Sequence, residues 1–173
     1  MPTTKQSCGA LVHRVGFDPG RTKEAARALT EGGVLPSGAP GKSPELTPQH
    51  VATLMLGAAL DVPLRAVADT VREYRELTPA GTPIDMLPAS LQYSAGNYLD
   101  ALANEPELAR HLKIEVVSTW PGISIHSPDG IVRRFVEPGT HPNHWQHSGH
   151  MRSTTVIGSA FADAVTELFS KES

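Results

Sequence analysis

Arg21, Thr22, Lys23 and Arg27 fall within a single seven-residue stretch, and such a set is what a helix needs to grip duplex DNA. Arginine and lysine reach phosphates and base edges, and threonine bonds to either. Asp18-Pro19 stands just before them, a start signal in which the carboxylate caps free amides and proline fits the first helical turn. Lys42 follows in the loop Ser37-Gly38-Ala39-Pro40-Gly41-Lys42-Ser43-Pro44, where it can reach a neighbouring phosphate with the amides of Gly38 and Gly41 beside it. The same cations on an exposed helix also make an ordinary solvated surface, and both readings stay open.

His141, His144, His147 and His150 recur at every third position, and histidine is the commonest transition-metal ligand. Pro142 and Gly149 interrupt any single helix through them. A three-residue step does not align four ligands on an α-helix, and no cysteine or carboxylate joins the set. The expectation is a polar loop carrying Trp145, without a metal or another cofactor. Cys8 is the one cysteine, which excludes an intrachain disulfide and a multi-cysteine zinc site. No nucleophile elbow or cysteine-histidine signature surrounds any candidate, and Gly41-Lys42-Ser43 lacks the spacer and preceding strand of a phosphate loop. The chain is therefore expected not to be an enzyme.

Positioning these side chains falls to a series of short elements. Leu11, Val12 and Val15 predict a first helix over residues 5–15 that stops at Gly16, and a second runs from Asp18 to about Gly32 with Ala25, Ala28 and Leu29 on one face. Thr47-Pro48 opens a third, mostly buried helix, and Val67, Val71 and Tyr74 mark an amphipathic fourth. Pro79, Pro83 and Pro88 make residues 78–90 read as a linker. Residues 91–112 look helical with an interruption near Pro106. Ile114 to Val117, Ile123 to Ile125 and Ile131 to Val136 suggest three short strands, the last two joined by the turn Ser127-Pro128-Asp129-Gly130. Val156 to Phe169 predicts a closing helix.

In order, the first part of the chain is helix, tight turn, helix, Gly33-Val34-Leu35-Pro36, a glycine-rich loop and then Leu46-Thr47-Pro48-Gln49-His50-Val51. Over roughly residues 7–60 this resembles the DNA-binding domain of the MerR-like winged-helix family. That family has a Gly-Leu-Leu-Pro-like step leaving the second helix and a Leu-Thr-Pro-Glu-Asp-Val-like start to the third. The second helix here is a few residues longer, and the wing has one lysine where the family often has arginines and an aromatic. Related folds occur in phage excisionases and small terminase subunits, so the resemblance implies DNA contact more firmly than transcriptional control. The expected fold is α+β: an N-terminal winged helix-turn-helix module over residues 1–77, a linker over 78–90, and a small antiparallel sheet with flanking helices over 91–173.

Charge sharpens this expectation. The 173-residue chain carries a formal net charge of −3, which excludes a coat that holds nucleic acid without selectivity. Residues 1–44 nonetheless hold six basic side chains against three acidic ones, whereas residues 92–173 hold six against nine, so any DNA affinity is local to the first part. No apolar run of membrane-spanning length and no signal-peptide pattern occurs, predicting a cytoplasmic protein. A three-stranded sheet is marginal alone and leaves edges to cover. Pairing of copies through the C-terminal half, as a homodimer or higher oligomer, would cover them and give paired DNA half-sites. The sequence thus predicts a sequence-specific binder of double-stranded DNA, a transcriptional regulator of bacterial or phage type. The alternatives are a phage packaging or recombination accessory and a protein-interaction factor without DNA.

Overall fold

A computed structural model describes residues 1–141 and 149–170. Its helices begin where side chains satisfy free backbone amides. Helix α1 (Thr4–Val15) starts behind Thr3, whose hydroxyl accepts from the Gln6 amide while Gln6 accepts from the Thr3 amide at 2.8 Å. It ends at Gly16 in the left-handed conformation, φ +87°, which costs glycine little. A three-residue turn leads to α2 (Pro19–Glu31), where the Asp18 carboxylate accepts from the Arg21 amide at 2.7 Å. Helix α3 (Pro48–Ala59) carries a capping box with histidine in the role usually played by Glu or Gln. Thr47 accepts from the His50 amide, and His50 Nδ1 accepts from the Thr47 amide at 3.1 Å. Helix α4 (Val67–Arg75) follows a single 3₁₀ turn at Leu64–Ala66.

The Gly/Pro-rich connection between α2 and α3 contains no strand pair of its own. Its tip is a turn in which the Lys42 amide donates to Ala39 at 2.9 Å, with Pro40 and then Gly41 at φ +76° in the middle. Its return arm pairs with the chain before α1, through a bridge between Thr3 and Glu45 and a Leu46 N–H donated to Pro2 at 2.7 Å.

Five strands form one antiparallel sheet in the order β1-β4-β3-β2-β5: β1 (Thr78–Pro79), β2 (Lys113–Val117), β3 (Gly122–His126), β4 (Val132–Val136) and β5 (Ser153–Ile157). Helix α5 (Ala95–Asn104) and a 3₁₀ turn at Pro106–Ala109 precede β2, and α6 (Gly158–Phe169) closes the chain. The α+β class and the three central strands agree with the sequence expectation, and two strands are additional. Val156, expected to open the closing helix, is buried in β5, and the helix begins at Gly158. A Cβ at Gly158 would collide with the Ala109 carbonyl, so this strand-to-helix step requires glycine.

Residues 78–90 do not behave as a free connection. Thr78 is buried and pairs with Val136, and two 3₁₀ turns follow at Ile84–Met86 and Ala89–Leu91. The inward side of the sheet, with Ile114, Val116, Ile123, Ile125, Phe135 and Val156, joins the same buried cluster as Leu11, Leu29, Leu54, Leu56 and Val71 of the helices. Helix α1 packs on α6 and α3 on α5, so the two expected modules share one core. Among the described residues no helix is long and apolar enough to cross a membrane.

Candidate nucleic-acid interface and a pocket on the sheet

Helix α2 is anchored along three sides. Ala25 and Leu29 are fully buried and Ala26 nearly so, and Leu29 lies against Gly57 of α3, where a Cβ would come within 2.8 Å of it. At its C-terminal end Gly32 abuts Ala68 of α4, and the Arg72 guanidinium donates to the Gly32 carbonyl. Beyond Pro19 at its start, the exposed residues of α2 are a stripe of Gly20, Lys23, Arg27 and Glu31, one turn apart as helical spacing demands.

The five residues singled out for DNA contact separate into two groups on this framework. Lys23 and Arg27 lie on the exposed stripe, and Lys42 is exposed at the tip of its turn. Thr22 has no surface: it is fully buried and its hydroxyl donates to the Asp18 carbonyl at 2.8 Å. Arg21 turns back onto α3, donating to the carbonyls of Leu60 at 2.9 Å and Val62 at 2.7 Å. These carbonyls lie at the end of a helix, where cations are favoured. Thr22 and Arg21 are thus engaged within the fold, whereas Lys23, Arg27 and Lys42 project into solvent. The turn that carries Lys42 has its return arm held against the chain before α1. Lys5, which the sequence reading did not single out, is exposed there within two residues of the same Thr3–Glu45 pairing.

Arg27 donates to Glu31 at 2.8 Å, and both side chains are about two-thirds exposed. A solvated pair of this kind contributes little, so a phosphate can displace the carboxylate readily. Lys23 has neighbouring Glu24 as its nearest acidic residue in sequence. The stripe is thus mixed in charge, with two cations at its centre.

Of the four histidines, His141 and His150 are exposed, whereas His144 and His147 lie outside the described residues. Among the described residues no group of three or more His, Cys, Asp or Glu side chains is placed to hold a metal ion. Cys8 is a free, half-buried thiol against the core, and burial raises its pKa, which makes it a poor nucleophile.

Sequence reasoning missed a second feature, a concavity of about 440 Å³ on the outer side of the sheet. Strand alternation puts Glu115, Ser124 and Arg134 in one row across β2, β3 and β4, directly paired in register. Beside it runs the row Val117, Gly122 and Val136. The indole of Trp120 covers Gly122, whose Cβ would stand 3.3 Å from the ring nitrogen. Glu115 is fixed by the Ser153 hydroxyl at 2.8 Å and by contact with His126 Nε2 at 3.2 Å. Tyr74 of α4 shares its hydroxyl proton between the carbonyls of Val117 and Trp120, 2.9 Å from the latter. Burial raises the Tyr74 phenol above its ordinary range, so it remains a neutral donor. The signal for this row was present in the alternation of Ile123-Ser124-Ile125, but its meaning required the neighbouring strands.

No protein-family profile, curated protein or solved structure matches this chain.

Proposed function

We propose that this protein binds double-stranded DNA through the exposed face of α2, in the manner of a helix-turn-helix regulator of bacterial or phage type. The observation that carries this reading is the pairing of Lys23 and Arg27 on an α2 stripe whose remaining sides are anchored to α3 and α4. A helix held at both ends presents its cations without losing further backbone entropy on binding. The preceding helix and three-residue turn supply the connectivity of the motif. Lys42 and Lys5 form a second basic point at the start of α1, suited to a flanking phosphate.

So few cations give one copy weak affinity, and two copies restore it by binding adjacent half-sites. Strand β5 suits such pairing. It is a sheet edge reading Ser153-Thr154-Thr155-Val156-Ile157, with no charge, lysine or proline to discourage pairing, and Ile157 is 47% exposed. Antiparallel pairing about Thr155 would continue the sheet through a two-fold axis.

A packaging or recombination accessory would use the same surface, and the identity of the bound sites separates it from a regulator. A second reading, as a protein-interaction factor, is favoured by the projecting segment that holds Met86, 73% exposed, and Leu91, 42% exposed. Selection of bound duplex fragments from the source genome, followed by sequencing, tests the DNA reading. Enrichment of a common site supports it, and recovery of unselected sequence at low salt with none at physiological salt contradicts it.

A further inference from the structure

We propose that Arg65 is a further phosphate contact of the DNA-binding face, set on the opposite side of α2 from Lys23, so that α2 lies between the two backbones that border a major groove. This inference rests on the reading of α2 as the DNA-binding helix.

The placement of Arg65 follows from how residues 60–68 run along α2. At the first turn of the helix, Arg21 donates to the carbonyls of Leu60 and Val62. At its far end, Gly32 abuts Ala68. Arg21 and Gly32 are about three turns apart and so lie on one side of α2. Between these anchors the 3₁₀ turn at Leu64–Ala66 packs against α2, which puts Arg65 beside the middle of the helix. The same segment is tied to the sheet: the Asp61 amide donates to the Ser118 hydroxyl at 3.0 Å, and the Asp61 carboxylate accepts from Arg152 at 2.8 Å. Arg65 is thus carried by backbone held on two sides, which needs little further ordering on binding.

Charge then separates Arg65 from its surroundings. Glu31, Asp61 and Asp69 are each paired with an arginine other than Arg65, and Glu24 acts on Arg27. Arg65 and Lys23 are exposed and have no hydrogen-bond or ion-pair partner among the described residues. A phosphate therefore meets the Arg65 guanidinium with its fork of donors free and no carboxylate to displace.

The direction of the two free cations points to the partner. Lys23 stands two residues beyond Arg21, about 200° round the helix, so it leaves α2 on the side away from Arg65. A helix with its side chains is about 10–12 Å across, and the major groove is about 12 Å wide. Cations on both sides of a helix that enters the groove meet phosphates of both strands, which fixes its register there.

Fluorescence anisotropy of the full chain with a labelled duplex across a salt series tests the proposal, comparing wild type with Lys23→Gln, Arg65→Gln and the double variant. Each single change is expected to make the slope of log affinity against log salt shallower by about 0.9, and the double change by about 1.8. Affinity of Arg65→Gln at about 50 mM salt is expected to fall by about fivefold. Lys113→Gln, at an exposed lysine on the sheet, should leave both quantities unchanged. Arg65→Gln removes no hydrogen bond of the fold, and urea unfolding of each variant checks that stability is kept. An Arg65→Gln slope equal to that of wild type, a double variant no shallower than either single one, or an equal change in Lys113→Gln overturns the proposal. If Lys23→Gln is weakened in that event, α2 stands as the DNA-binding helix without Arg65; a wild type that binds no duplex overturns both readings.

Discussion

The guanidinium of Arg75 at the end of α4 grips the carboxylate of Asp100 in α5 with two hydrogen bonds, of 3.0 and 2.7 Å. The same nitrogen that makes the first also donates to Thr53 of α3 at 3.1 Å. The pair spans residues 78–90, which the sequence reading took for a boundary, and its side chains are only 23% and 21% exposed. Arg75→Met leaves Asp100 with an uncompensated, largely buried charge, and is expected to lower stability by about 1–3 kcal/mol. Because the halves share one core, calorimetry is expected to show a single unfolding transition in both proteins. Two separated transitions would contradict the shared core.

Arg21→Met is expected to act on stability rather than on DNA. Its guanidinium is engaged by Leu60 and Val62, and removing two charge-assisted bonds should lower stability by about 1–2 kcal/mol in urea unfolding. A loss of DNA affinity beyond what the unfolded fraction explains would return Arg21 to the interface.

His50 makes the start of α3 sensitive to acid. Its Nδ1 accepts a bond only while the ring is neutral, and burial, followed by the charge of Arg75, lowers its pKa below the ordinary imidazole value. The stabilising cap is present above the unfolded-state pKa. It is lost as pH falls from there through the depressed folded-state value, because the unfolded chain takes up the proton first. His50→Gln retains the box geometry without a titrating group. Its thermal midpoint is expected to fall less than that of the wild type between pH 7.5 and 5.

Glu73 and Glu137 repel at neutral pH. Hydrogen bonding to Glu137, then desolvation and the charge of Glu137, raise the pKa of Glu73. A raised carboxylate pKa favours the folded chain at low pH, an advantage lost as pH rises through the folded-state value. Glu73→Gln is therefore expected to stabilise the protein at pH 7 by a few tenths of a kcal/mol, since the group is exposed. Urea unfolding at pH 7 and pH 4 checks that the gain disappears in acid.

Helix starts were the legible part of this fold, because Asp18-Pro19 and Thr47-Pro48 act within one turn of themselves. Strands β1 and β5 were not legible. Thr78-Pro79 is too short to alternate, and becomes a strand only against β4. Val156 and Ile157 fit the helical pattern that follows them as well as the strand they occupy. The burial of Thr22 could have been read from sequence alone. Positions 22, 25, 26 and 29 follow the spacing of a buried helical face, and all four are buried. The assignment of Arg21 depends on carbonyls about forty residues away, which no local pattern reveals.

The claim that α2 and the Lys42 turn hold DNA is tested most directly by fluorescence anisotropy with a labelled duplex across a salt series, comparing wild type with the Lys23→Gln, Arg27→Gln, Lys42→Gln triple variant. All three side chains are exposed, so the fold is expected to survive. If each cation neutralises one phosphate, the slope of log affinity against log salt becomes shallower by about 2.7 per copy, and affinity at low salt falls by an order of magnitude or more. A triple variant with the affinity and salt slope of the wild type, or a wild type that binds no duplex at about 50 mM salt, would contradict the assignment.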